Sequence, residues 1–200
     1  MKLIKKMGEC LLAASLLLSS GAFAVPTLQF TPSSQTVELG EQATLNIGVS
    51  GLSNEYVGTY DFDVNWDSSL LSLNSISFDT FLDGPLDSIS SFDNSSAGTV
   101  NVFEVSLGAL SNQNGSGSIN LFSLTFDTLA LGVSLLDFSA GIDPFFGFLG
   151  DDLGFSLTPS LSNGSITIIE PSNVPEPSTL LLLSAGLILT GLSARRNRSS

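Results

Sequence analysis

The sequence predicts an all-β protein: a two-sheet β-sandwich with an apolar targeting segment at each end. Three observations predict it. Between Val25 and Val174, apolar residues alternate with polar ones at period two, as in strands with one buried face. The alternating runs are short and separated by clusters of Gly, Asn, Ser and Asp, at the spacing of a sandwich. Apolar runs without alternation occur near the two termini, outside this middle region.

The first segment, residues 1–24, has the three parts of a signal peptide. Lys2, Lys5 and Lys6 form a basic start, and Leu11–Leu18 an apolar run too short to cross a membrane. Ala22-Phe23-Ala24 is a small-x-small cleavage site, so the mature chain is expected to begin at Val25. Cys10 lies before the apolar run beside Glu9, which is not where a lipoprotein cysteine sits.

Residues 25–170 form the expected domain. Leu28–Phe30 and Gln35–Glu38 are expected as edge pieces around Pro32. Ala43–Ser50 alternates, with Leu45, Ile47 and Val49 on one face. Thr59–Trp66 does the same: Tyr60, Phe62, Val64 and Trp66 point one way, and Asp61, Asp63 and Asn65 the other, toward solvent. Leu70–Phe78 follows a turn at Asp67–Ser69. A Ser/Asp/Gly-rich loop is expected over Asp79–Gly98, then strands at Thr99–Leu107, Ser118–Thr128, Gly132–Ser139 and Ser165–Ile169. Asn-Gly steps at Asn114-Gly115 and Asn163-Gly164 mark turns. Gly141–Gly154 is expected as a loop. The total is eight or nine strands, in a domain long enough for a real core.

The second segment follows a linker at residues 171–174. Pro175, Glu176 and Pro177 form an extended triplet that cannot lie inside a helix. Thr179–Ala194 carries no charge and no proline. As a helix it would be about 24 Å long, a little short of a ~30 Å hydrocarbon core. Arg195, Arg196 and Arg198 close it. Lysines before the first apolar run and arginines after the second place both termini in the cytoplasm and the middle outside.

Charge narrows the function. All six Lys and Arg belong to the two end segments, and the chain has no His. Of nineteen carboxylates only Glu9 and Glu176 lie outside the middle, which keeps seventeen. Nucleic acid is excluded as a partner, because no cation is available to meet phosphate. Without His, Lys or Cys, the exported part can build no Ser-His, Cys-His or Ser-Lys pair, so no catalytic residue is assigned. Paired carboxylates leave a glycan-acting enzyme as the remaining catalytic reading. The only cysteine leaves with the signal, so the domain holds itself together by packing.

Two local patterns are candidate sites. Asp61, Asp63, Asn65 and Asp67 imitate the opening of a calcium loop, which makes a calcium-dependent adhesion module one reading. Trp66 stands where that loop needs Gly, and Ser72 where it needs Glu. A polar strand face explains the same spacing, and no cofactor or metal ligand is assigned. Phe145, Phe146 and Phe148, set among Asp143, Asp151 and Asp152, suit either a carbohydrate or protein contact or the plugging of one sandwich end.

Two stretches resemble known families. Pro-Glu-Pro, a Leu-rich run and an Arg-rich end resemble the PEP-CTERM sorting signal of Gram-negative bacteria. The resemblance implies export and recognition of Pro175–Pro177 by an exosortase-type enzyme. It further implies transient residence in the inner membrane, cleavage, and delivery to the cell surface or exopolysaccharide matrix. TVELGEQATLNIGVSGLSN, YVGTYDFDVNWDSSLLSL and the final NGSITI strand resemble the cohesin-type sandwich, a jelly roll. That resemblance carries over the fold and not the partner; the chain is expected to be a non-catalytic binding or structural module, with a polysaccharide or another surface protein as its ligand.

Overall fold

The computed structural model describes residues 25–53, 55–82, 88–108, 117–141, 147–151 and 153–172. Among these, thirteen strands and no helix are present. They are β1 (Thr27–Thr31), β2 (Ser34–Glu38), β3 (Gln42–Leu52), β4 (Thr59–Asn65), β5 (Leu71–Phe78), β6 (Ser88–Asp93) and β7 (Thr99–Ser106). There follow β8 (Gly117–Thr128), β9 (Gly132–Ala140), β10 (Leu149–Gly150), β11 (Ser156–Leu157), β12 (Ser160–Ser162) and β13 (Gly164–Ile169).

They form two sheets. One has the order β12-β1-β3-β8-β5. In the other, β4 is central: β7 lies along one edge with β6 outside it, and β9 and β10 share the other edge, continuing through β13 to β2. The last strand is held on both sides, antiparallel to β9 and parallel to β2.

The alternation seen in the sequence becomes the core. Leu45, Ile47 and Val49 of β3 face Tyr60, Phe62 and Val64 of β4 across the sandwich, all buried. Phe30 stacks on Phe138 with ring centroids 4.3 Å apart, and Phe62 meets Phe138 edge-on at 5.6 Å. Each such side chain contributes about 1.5–3 kcal/mol on burial. Gly164 opens β13 against Phe30, where an added Cβ would press on the ring.

Three expectations are corrected. The loop expected over Asp79–Gly98 contains β6, a strand whose alternation is masked because five of its six residues are exposed. The Gly141–Gly154 loop contains β10, and β11 and β12 follow it, so the strands exceed eight or nine. Strands of two or three residues are too short to show a period. Leu28–Phe30, expected at an edge, lies in β1 between β3 and the short β12.

Candidate binding face

The site is built on β4. Its even residues enter the core, so Asp61, Asp63 and Asn65 point outward. The neighbours bring matching rows. Asp63 stands between Asn101 of β7 and Ser139 of β9, and Asn65 between Thr99 and Asp137. Asp61 stands beside Phe103, and Asp93 of β6 extends the Asp63 row.

These rows are hydrogen-bonded across the strands. Asn101 Nδ2 donates to Asp61 Oδ1 at 2.8 Å and to Asp63 Oδ1 at 2.9 Å. Asn65 Nδ2 donates to Asp137 Oδ1 at 2.8 Å and to Ser139 Oγ at 2.9 Å. Thr99 Oγ1 donates to Asn65 Oδ1 at 2.9 Å. The face that alternation predicts to be solvated is partly covered: Asp61 is only 4% exposed. Gly141 lies over its carboxylate, where any Cβ would collide.

Exposed aliphatic side chains flank this polar centre. Val133 and Leu135 project from β9 on the same side as Asp137, and Leu135 is 72% exposed. Ile89 projects from β6 beside Val105. The sequence reading missed these residues, although the parity of β9 places Leu135 outside once Leu136 and Phe138 are assigned to the core.

The four-residue imitation of a calcium loop is divided. Asp61, Asp63 and Asn65 share the face as the strand pattern predicts. Asp67 lies past the strand end and caps its own turn, accepting from the Ser69 amide at 2.9 Å and its hydroxyl at 2.6 Å. Those two bonds hold its carboxyl below the usual range. Among the described residues, no three or more His, Cys, Asp or Glu side chains gather as metal ligands.

One carboxylate lies on the inward side of its strand. Glu104 occupies the inward register of β7 after Val100 and Val102, and is only 2% exposed. Tyr60 Oη donates to its Oε2 at 2.7 Å, and Ser88 Oγ to its Oε1 at 2.8 Å. Burial pushes the Glu104 pKa up; the two hydroxyls oppose that shift, and Asp79 adds to it. Burial and the adjacent Glu104 likewise push the Tyr60 phenol far above its ordinary value. The sequence signal was a Glu in the apolar register of a strand.

Of the Phe-rich loop, Asp143, Phe145, Phe146 and Asp152 lie outside the described residues. Phe148 packs against the core, its ring 6.4 Å from Phe62. Asp151 shapes a tight turn, with Oδ1 accepting from the amides of Leu153 at 2.9 Å and Phe155 at 2.7 Å. Val25, the expected mature start, is exposed. Ala22, Ala24, Pro175, Glu176, Pro177, the apolar run Thr179–Ala194 and Arg195, Arg196 and Arg198 lie outside the described residues.

A family model described as the cohesin domain matches residues 28–140, more than half of the chain. The chain belongs to the cohesin family. Solved cohesins share its fold. The sixth cohesin of scaffoldin B from Acetivibrio cellulolyticus, solved in complex with a mutant Cel5 dockerin, is 17% identical with a TM-score of 0.60; the match covers 72% of this chain and 99% of that one. CaCohA2 from Clostridium acetobutylicum is 20% identical with a TM-score of 0.57, covering 72% and 91%. The cohesin module of a Clostridium perfringens family 33 glycoside hydrolase is 14% identical with a TM-score of 0.55, covering 74% and 98%. At these identities the likeness shows the fold alone. The PEP-CTERM protein-sorting motif matches residues 173–197. This cohesin is therefore part of an exported protein with a sorting tail. No curated protein matches the chain.

Proposed function

We propose that this chain is an exported, non-catalytic surface or matrix protein whose cohesin module binds a protein partner through the outer face of β9, β4, β7 and β6. One observation carries the reading. Val133, Leu135 and Ile89 stay exposed on the face whose polar centre is already ordered by side-chain bonds. Aliphatic groups beside a pre-ordered polar centre match the mix of apolar and polar contact that protein interfaces use. A neighbouring cohesin was solved with a dockerin bound, so a protein is a fitting class of partner for this fold.

The tail would deliver the module. An exosortase-type enzyme would read Pro175, Glu176 and Pro177 while Thr179–Ala194 holds the chain in the inner membrane and Arg195, Arg196 and Arg198 keep its end inside. Delivery to the surface or exopolysaccharide of a Gram-negative cell would follow cleavage, with residues 25–170 as the working domain.

Two experiments test this. A photo-crosslinking side chain at Leu135 in producing cells should yield a protein adduct of discrete mass, whereas one at Thr44 on the opposite sheet should not; equal labelling would refute the face. Mass spectrometry of the surface form should show a chain that starts at Val25 and ends near Pro175–Pro177. A form that keeps Leu180–Ser200 would make the tail a plain anchor.

A further inference from the structure

Trp66 is the odd member of its row. Tyr60, Phe62 and Val64 precede it on the inward side of β4 and are fully buried, whereas the Trp66 indole is half-buried. It is the only tryptophan of the chain. Its Nε1 donates to the Leu71 carbonyl oxygen at 3.0 Å, and its ring meets Phe126 edge-on with centroids 5.2 Å apart. The indole is thus fixed across the gap between the sheets, beside the edge strand β5. Next to it lies a cavity of about 240 Å³, lined also by Leu71, Leu129 and the turn between β6 and β7. The backbone holds that turn close. The Trp66 amide donates to the Gly98 carbonyl oxygen at 2.9 Å, and a Cβ on Gly98 would come within 2.7 Å of the Trp66 carbonyl oxygen.

The rim selects the chemistry of a ligand. Ser68, Ser72, Asn94 and Ser96 line the cavity, are exposed and uncharged, and their side chains bond to no other group among the described residues. The acids beside them in sequence are committed to their own turns: Asp67 accepts from Ser69, and Asp93 Oδ1 accepts from the Ser95 amide at 2.9 Å. Among the described residues, no charged side chain lines the cavity, so an ion gains no counter-charge there. A purely apolar ligand would cover hydroxyls and an amide without replacing their bonds to water. A peptide strand would need the outer edge of β5. Leu70 O accepts from the Leu129 amide, so the next carbonyl, that of Leu71, points away from β8, and Trp66 already takes it. A small neutral ligand with an apolar face and hydroxyls around it meets all of these conditions. The volume lies below the range of roughly 300–1,000 Å³ typical for drug-sized molecules and suits one six-membered ring.

We propose that the cavity beside Trp66 binds one uncharged pyranose ring, with the C–H face of the sugar on the indole and its hydroxyls bonded to Asn94, Ser72, Ser96 and Ser68. None of these residues belongs to the face assigned above to a protein partner, and the site does not depend on that reading.

Trp66 is also the reporter. The full chain in a sugar-free detergent is titrated with the methyl glycosides of glucose, galactose and mannose and with linear trisaccharides of the same sugars. Indole emission is followed, with calorimetry as the second measure. At least one sugar should give a saturable response that salt does not weaken, and methyl glucuronide should give less than its neutral counterpart. A response to trisaccharides as well points to a glycan as the source, and a response to methyl glycosides alone to a free sugar. Asn94→Ala with Ser72→Ala should raise the Kd about tenfold, the loss of two ordinary hydrogen bonds, without moving the melting midpoint. Ser75→Ala with Ser77→Ala, on the same edge strand outside the cavity, should change it by less than about twofold. Silence in both measures across the whole series overturns the inference. A Kd that the Asn94 and Ser72 changes leave alone, or a glucuronide that binds as tightly as the neutral sugar, overturns it as well.

Discussion

The two sheets of the sandwich present different outer faces. On the five-stranded sheet, Thr44 and Thr125 pair their hydroxyls at 3.0 Å, and Gln42 and Asn74 both donate to Asp127, at 2.8 and 2.9 Å. Among the described residues, the outer face of β3, β8 and β5 shows no exposed large apolar side chain. The face around β4 has the same kind of cross-strand hydrogen bonds, and Val133, Leu135 and Ile89 besides. A water-facing sheet can therefore be made here from small polar residues alone. The aliphatic groups on the face around β4 are not demanded by a water-facing sheet, and they are the feature on which the proposed protein contact rests.

The comparison can be tested from its foundation outward. Phe62 supports both faces through the shared core, so Phe62→Ala should cost about 3–5 kcal/mol in a denaturant titration. Survival of either face in that variant would show that the sheets are less coupled than their packing implies. Asn101→Leu should cost about 2–3 kcal/mol, because it takes a donor from the buried Asp61 carboxylate. Thr44→Val, the matching deletion on the polar face, should cost at most about 1 kcal/mol. Equal costs would erase the distinction between a covered ladder and a solvated one.

Acid should separate the two sheets as well. The Glu104 pKa is raised in the folded state, so its contribution is fully present below the ordinary Glu value of 4.5 and is lost as pH rises through the folded value. Asp127, on the opposite sheet, is held below the ordinary Asp value of 3.8 by Asn74 and Gln42. Its contribution is present above that value and is lost as pH falls through the folded one. Glu104→Gln should therefore raise the melting midpoint near neutral pH and flatten its dependence between neutral pH and about 4.5; an unchanged slope would show that Glu104 does not titrate in that window. The smallest effect on stability is expected at Leu135, where Leu135→Ser should change it by no more than about 0.5 kcal/mol. A larger loss would mean that the side chain serves the fold.

Much of this was legible in the sequence where a strand alternates cleanly. Tyr60, Phe62 and Val64 declared the inward face of β4, and Leu45, Ile47 and Val49 that of β3. Strand β6 escaped because an edge strand packed on neither face has no periodic reason to alternate. The burial of Asp61 escaped because its cause is Gly141, eighty residues away in the chain. Glu104 escaped because its bonds come from Tyr60 and Ser88, which reach it only across strands. The aliphatic flanks were legible in part, because outward parity follows from the core assignment while exposure depends on what covers it.

The place of β13 has a consequence for biosynthesis. Sheet closure needs a strand that ends at Ile169, hydrogen-bonded to β2 near the start of the domain and to β9. A polypeptide still being made cannot complete the sandwich until almost all of it has emerged, and one terminated early leaves two strand edges open to degradation or aggregation. The last strand thus acts as a check on chain length: a finished domain certifies that translation has passed its final β-strand, immediately before the sorting motif.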